Sequence, residues 1–331
     1  MAGMKALTKA TIYEVARRAG VSIATVSRAL RDSELVTEET RARVRAAADE
    51  LHFMPSRLGR SLAEGRHAAN GIVFPDLVGP YYAEVVLGYE ATAAELGSSV
   101  LILATHGRRD TVAAVQDLAG RVDGMAIMQQ TVDDGVVAKI AAVGLPLVLI
   151  ARPPVAGVDT IRTRNERTAA ALADHLLAHG HRRFVFLGDP SGAPDVQGRY
   201  TGVRKTEPTV VRCGLDLDSG RAAAQAVLAD PPDAIICAND EVALGVHLAA
   251  EQAGLSIPGD VAVTGWDDLL AARFAGLTTA GQPMRSLGAT AARWLHERIQ
   301  DPGRAPRRRV LDTQLVIRRS CGTHPPEVRQ P

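Results

Sequence analysis

Residues 10–41 read ATIYEVARRAGVSIATVSRALRDSELVTEETR, and the punctuation of this stretch decides the architecture of the N-terminal part. Thr11 stands as an N-cap, Glu14 follows at the capping-box spacing, and Ile12, Val15 and Ala16 recur at helical intervals until Gly20 interrupts them. After Val21, Ser22 caps a second helix over residues 23–30. Its inner face carries Val26 and Leu30, its outer face Ile23, Ala24, Ser27 and Arg28. Thr37 caps a third helix, where Glu38 and Glu39 meet the positive end of the dipole and Val44, Ala47, Ala48 and Leu51 turn inward. Three short helices with tight connections make a helix-turn-helix headpiece.

From Asn70 onward the texture changes to short apolar strands alternating with amphipathic helices. Residues 71–74, 100–104, 124–128 and 146–150 are strand-like, with helical stretches at 81–96 and 111–119. A second series has strands at 184–187, 234–237 and 261–265 and helices at 166–179, 220–228 and 240–253. Alternating β and α elements imply parallel sheets covered by helices, and two series imply two lobes. A cleft between them, at the carboxyl ends of the strands, is the expected small-molecule site.

Composition is consistent with this. The 331 residues suffice for two or three domains, and 46% hydrophobic with 23% charged residues excludes a disordered or fibrous chain. Only 4% is aromatic, so the core is aliphatic. No apolar run approaches the roughly 18 residues of a bilayer span. The first ten residues lack the apolar stretch of a secretion signal, so a cytoplasmic location is expected. Cys213, Cys237 and Cys321 are far apart and form no CxxC pair, which fits a reducing compartment and argues against zinc. Residues 1–67 hold twelve Lys or Arg against eight Asp or Glu, a net +4 in a chain whose total is +1. A basic head on a mildly acidic body is the pattern of a nucleic-acid-binding head.

Enzyme signatures are missing: there is no GxGxxG after a strand, no GxxxxGK[ST], no GxSxG and no HExxH. His175, His179 and His181 fall at a helix C-terminus, where histidines suit the dipole, and are read as structural. A stand-alone sugar-binding module, the competing reading, would lack residues 11–62.

The segments ATIYEVA (10–16), AGVSIATVSR (19–28) and VTEETR (36–41) closely resemble the headpiece of the lactose-repressor (LacI/GalR) family of bacterial transcription regulators. The likeness continues through residues 55–62, the family's hinge helix. It resumes at VDG (122–124), HGHR (179–182), ANDEVALG (238–245), IPGDV (257–261) and GWDD (265–268), covering nearly the whole chain.

The resemblance implies a small all-α headpiece on an α/β, periplasmic-binding-protein-like body of two parallel-sheet lobes. It divides the chain into a headpiece (1–52), hinge and linker (53–69), an N-terminal effector lobe (70–163 with 283–306), a C-terminal lobe (164–282 with 307–320) and a tail (321–331). It implies a homodimer on double-stranded operator DNA, controlled by a small effector, without cofactor or catalysis and without membrane association. Pro325-Pro326 and the lack of a leucine heptad argue against a tetramerising C-terminal helix.

Residue by residue, the resemblance assigns Ile23, Ala24 and Arg28 to base contacts in the major groove. Thr11, Ser22, Thr25 and Ser27 position the DNA backbone, and Ser56, Arg57, Arg60 and Leu62 reach the minor groove, with Leu62 as a wedge. In the body, Arg199, Asn239 and Asp267 stand where the family contacts its effector, and Trp266 or Tyr81 is the candidate aromatic face beside them. Asp267 suits paired hydroxyls, the donors suit oxygens, and the aromatic faces suit a pyranose.

Three departures bear on the effector. Thr163-Arg164-Asn165 places a base where the family has an acid; Arg152, His106 and Arg108 add further basic groups at strand ends; residues 203–212 leave no room for a helix and a loop. Arg164 either lines a basic cleft, favouring a sugar phosphate or sugar acid over a neutral sugar, or pairs internally.

Overall fold

The computed structural model describes residues 10–54 and 67–322, and the chain divides into two compact units, Met1–His67 and Ala68–Pro331. In the first, α1 (Ile12–Ala19), α2 (Ile23–Ala29) and α3 (Glu38–Glu50) form as their caps demand. The Glu14 carboxylate accepts from the Thr11 amide at 2.7 Å and the Thr11 hydroxyl at 3.0 Å. Gly20 ends α1 in the left-handed conformation at φ +66°, which a Cβ would strain. The Ser22 hydroxyl accepts from the Thr25 amide at 3.1 Å. Val15, Val26, Ala29 and Val44, all 0% exposed, are the centre of the small core these helices close.

The second unit holds two parallel sheets. Strands β1 (Ala69–Phe74), β2 (Ser99–Ala104), β3 (Gly124–Met128), β4 (Leu147–Ile150) and β5 (Asp159–Thr163) belong to the first lobe, β6 (Phe184–Leu187), β7 (Thr209–Val211), β8 (Ala234–Cys237) and β9 (Ala262–Thr264) to the second. Further on, β10 (Thr279–Gly281) pairs antiparallel with β12 (Gln314–Val316), and β11 (Arg308–Leu311) lies between them in sequence. The first sheet runs β11-β5-β4-β3-β1-β2 and the second β7-β6-β8-β9. Helices α4 (Pro80–Glu95), α5 (Thr111–Ala119), α6 (Asp134–Ala142) and α12 (Met284–Gln300) accompany the first sheet; α7 (Asn165–Ala178), α8 (Pro194–Val203), α9 (Leu217–Val227), α10 (Asp240–Gln252) and the short α11 (Leu270–Ala275) accompany the second. One aliphatic core runs through both lobes, from Ile72 and Ile150 to Leu187 and Val246.

One expectation needs correction. Residues 307–320 do not all belong to the second lobe: Arg308 to Leu311 pair in parallel register with Thr160 to Thr163 and form an edge of the first sheet. The segment 203–213 carries only a 3₁₀ turn at Arg204–Thr206 and the edge strand β7, which agrees with the expectation that it has no room for a helix and a loop. The hinge residues Ser56, Arg57, Arg60 and Leu62, and the tail from residue 323, lie outside the described residues. Among the described residues no helix is long and apolar enough to cross a membrane.

Helices α4 and α12 meet through facing glycines. A methyl group on Gly88 would come 2.0 Å from the Arg285 carbonyl oxygen, and one on Gly288 would come 2.1 Å from that of Val85. Backbone cannot yield as a side-chain tip does, so Gly88→Ala is expected to destabilise the body by about 1–3 kcal/mol. Its urea-unfolding midpoint measures this; an unchanged midpoint would show that the helices separate freely.

Candidate functional site

Two regions collect the residues singled out above, one in each unit. On the headpiece, α2 turns Val26 and Ala29 into the core, which leaves Ile23, Ala24 and Arg28 exposed on the other side. Ile23 is 40% exposed, and among the described residues the Arg28 guanidinium has no hydrogen bond or ion pair. The hydroxyl-bearing residues are already engaged locally. Ser22 and Thr25 hydroxyls are 2.8 Å apart, and the Ser27 hydroxyl accepts from Arg31 at 2.7 Å. Each retains lone-pair or donor capacity for a phosphate.

In the body, a cavity of about 370 Å³ is lined from both lobes. The first lobe contributes Asp76, Tyr81, Tyr82 and Gln129, the second Asp195, Arg199, Asn239 and Asp267, with Asp216 and Glu241 at its side. Helix N-termini deliver much of this lining. Asn239 caps α10, accepting from the Val242 amide at 3.0 Å and donating to the Leu215 carbonyl at 2.8 Å. Asp216 caps α9, while Asp195 and Glu241 lie in the first turns of α8 and α10. The two tyrosines meet edge to face with ring centroids 5.4 Å apart. Tyr82 donates to Gln129 at 3.3 Å. Burial pushes the Tyr82 phenol up to about 12, so it stays neutral.

Arg199 and Asp267 form the polar centre. Arg199 is 6% exposed and donates to the Ala238 carbonyl at 2.6 Å and to Asn165 at 3.3 Å; its Nη2 lies 3.9 Å from Asp267 Oδ1. The guanidinium sits 5.1 Å from the centre of the Trp266 ring. Asp267 accepts from Gln282 at 2.5 Å, and Gln282 accepts from Thr163 at 2.9 Å, so a strand of the first lobe helps to hold a carboxylate of the cleft. At φ +119°, Asp267 has a backbone that non-glycine residues rarely adopt, a strain maintained by these surroundings. Burial pushes its carboxyl up to about 6 against the pull of Arg199.

Tyr81, Arg199, Asn239 and Asp267 therefore line one cavity. Trp266 is not in the lining: it is 1% exposed and supports Arg199 from behind. Arg164 is a correction. It points to Asp312, with Nε 2.8 Å from Oδ1, and is not part of the cavity lining. Arg152 is buried against Asp134 and the Val132 carbonyl, and Arg108 donates to the Ala104 carbonyl at 2.7 Å. The cleft is not basic. Its lining includes five carboxylates (Asp76, Asp195, Asp216, Glu241 and Asp267) and one guanidinium.

The acidic residues were missed because an acid at a helix N-terminus reads as a cap or dipole partner. The available signal was Asp195 four residues before Arg199, a spacing that sets both on one helical face. The three histidines are structural: His175 Nε2 contacts Cys321 Sγ at 3.3 Å and His181 Nε2 lies 3.1 Å from the Cys321 carbonyl, fastening the segment Arg319–Cys321.

Residues 11–56 match the family described as bacterial regulatory proteins, lacI family, and residues 173–321 match the periplasmic binding protein-like domain. The chain is 32% identical over 330 residues to the HTH-type transcriptional repressor PurR of Photobacterium profundum, covering 94% of this chain and 98% of that protein. Among solved structures, the Lac repressor dimer bound to operator and the anti-inducer ONPF superposes with a TM-score of 0.84 at 28% identity, covering 96% of this chain and all of that one. The complex of the transcriptional regulator CelR with cellobiose has a TM-score of 0.70 at 28% identity and covers 94% of this chain and all of CelR.

Proposed function

Because the chain belongs to the LacI family of bacterial transcriptional repressors, which are not enzymes, we propose that it represses genes of carbohydrate use, binding operator DNA as a homodimer and answering to a small sugar-like effector. The observation that carries this reading is the union in one chain of a headpiece exposing Ile23, Ala24 and Arg28 with a body enclosing a polar cavity. Helix α2 enters the major groove, two copies read two half-sites, and Arg28 contacts guanine through its paired donors. Ile23 and Ala24 offer only apolar contact, so base choice rests on Arg28.

In the cleft, Asp267 accepts ligand hydroxyls, Arg199 and Asn239 supply donors, and the Tyr81 and Tyr82 rings offer apolar faces. Cellobiose in the CelR complex and ONPF in the Lac repressor complex favour a sugar-like ligand here too. The carboxylate-rich lining disfavours the sugar phosphates and sugar acids that a basic cleft would take. Ligand held by both lobes changes their closure, and through it the affinity for DNA.

Fluorescence anisotropy with the intergenic DNA beside the gene, over a salt series and against random duplex, tests the regulator reading. Tight, competitor-resistant binding that weakens steeply with salt is expected. Arg28→Ala is expected to weaken operator binding by about 1–3 kcal/mol, roughly fivefold to 150-fold, while random duplex loses far less. Equal loss on both duplexes would make Arg28 a phosphate contact. Failure to select any sequence from a random library, with or without candidate effectors, would overturn the regulator reading.

A further inference from the structure

The effector cleft contains a carboxylate that its own surroundings do not satisfy. Asp195 is 8% exposed; its Oδ1 accepts from Asn165 at 2.9 Å, while its Oδ2 is buried and has no hydrogen-bond partner among the described residues. The Tyr81 hydroxyl, lining the same cavity, is likewise buried without a partner. A buried, unpaired carboxylate oxygen is costly unless a ligand completes it.

The resident cation does not balance the lining. Arg199 directs its donors to Ala238, Asn165 and Asp267, and Asp267 is thereby already matched to it. Asp195, with Asp216 and Glu241 on the same wall, adds negative charge for which the cavity lining holds no second base. Burial and the adjacent Asp216 push the Glu241 carboxyl up, and the field of Asp195 acts on both Asp267 and Tyr81 in the same sense. A hydroxyl would give Asp195 one neutral hydrogen bond. An ammonium gives a charge-assisted bond and the missing positive charge together, and a phosphate or carboxylate would be repelled.

Resting on the effector reading above, we infer that the cleft recognises a sugar-sized molecule bearing a protonated amine, and that the amine is bound by Asp195 Oδ2. Asp195 is then a specificity determinant whose cost to the free protein is offset on ligand binding. An ionised carboxylate held in this site weakens the fold at neutral pH, because burial, opposed by Arg199 and Asn165, sets its folded-state pKa above the ordinary aspartate value.

Isothermal titration of the full chain against matched probes tests the inference: D-glucosamine with D-glucose, D-galactosamine with D-galactose, N-acetylglucosamine as the amine-blocked form and glucose 6-phosphate as the anion. At least one amine is expected to bind about tenfold tighter than its hydroxyl partner, and Asp195→Asn to erase that preference. Without ligand, Asp195→Asn is expected to raise Tm by roughly 2 °C or more, since shape and the Asn165 bond persist while the buried charge is gone. A residue that merely anchored Arg199 would give the opposite shift.

Neutral sugars binding as tightly as their amines, a preference that survives Asp195→Asn, or no amine binding at all would each overturn it. A neutral sugar that nevertheless releases operator DNA would leave the regulator reading intact and remove only the amine. Amine binding without any operator recognition would do the reverse.

Discussion

Replacing Asp159 by alanine is expected to lower the unfolding free energy of the body by about 3–5 kcal/mol, the cost of stranding buried charges whose partner is removed. Asp159 opens β5, is 0% exposed, and receives Arg298 Nη2 at 2.9 Å and both the amide and Nη2 of Arg307, at 2.6 and 3.1 Å. One carboxylate thus joins β5, α12 and the segment entering β11. Arg307 also covers the Trp294 ring, with its guanidinium carbon 4.5 Å from the ring centre, so its position is coupled to packing as well as charge. Asp159→Asn keeps the shape and loses less. Burial alone would push the Asp159 carboxyl up, but the bonds from Arg307 and Arg298 outweigh it and hold it below the ordinary aspartate value. A depressed folded-state value means that the stabilisation is present above the unfolded-state pKa and is lost as the pH falls through the folded one. Urea unfolding from neutral to acid pH should therefore show the wild type losing stability on the acid side and Asp159→Ala losing less of it. A cost under about 1 kcal/mol at pH 7 would mean that water replaces the carboxylate without penalty.

Arg199→Ala is expected to weaken binding of the tightest ligand in the sugar and amino-sugar panel by about 2–5 kcal/mol, roughly thirtyfold or more, measured by titration calorimetry. The substitution removes the donor to the Ala238 carbonyl and the support of Asn165, and leaves Asp267 buried without its cation. Lysine does not rescue it, because a single ammonium cannot reproduce a planar guanidinium that meets three acceptors and lies over Trp266. The effect carries a pH signature. Burial pushes Asp267 up to about 6 with Arg199 opposing it, so removing Arg199 moves it higher still. Ligand hydroxyls need the ionised form: wild-type binding should weaken as the pH falls through about 6, and residual binding by Arg199→Ala should weaken from a higher pH. Identical profiles would show that Asp267 does not accept from the ligand. In the free protein the sign is reversed. The raised folded-state value means that the ionised group lowers stability as the pH rises from the ordinary aspartate value through about 6.

The headpiece was legible because its determinants are local. Thr11, Gly20, Ser22 and Thr37 act on residues within a turn of themselves, and the helices begin where those residues place them. In the body the alternation of strand and helix was legible too, but β5 and β11 were not read as strands. Their sequences, DTIRT and RRVL, carry charges at positions that partners 139 and 148 residues away or the sheet edge make harmless. Arg199, Asn239 and Asp267 were singled out through likeness to a family and Tyr81 through its aromatic face, and the structure gathers all four around one cavity.

The sequence by itself determined the two-part organisation, the capped helices and the exposed face of α2, since each follows from spacing along one chain segment. Tertiary structure alone decided the charge of the cleft. Whether an arginine faces a ligand depends on where its partner lies, and Asp312 for Arg164 and Asp134 for Arg152 come from other elements. Whether an aspartate at a helix start is a cap or a ligand group depends on what the other lobe leaves open beside it, which is why the unpaired oxygen of Asp195 emerges only when both lobes are in place.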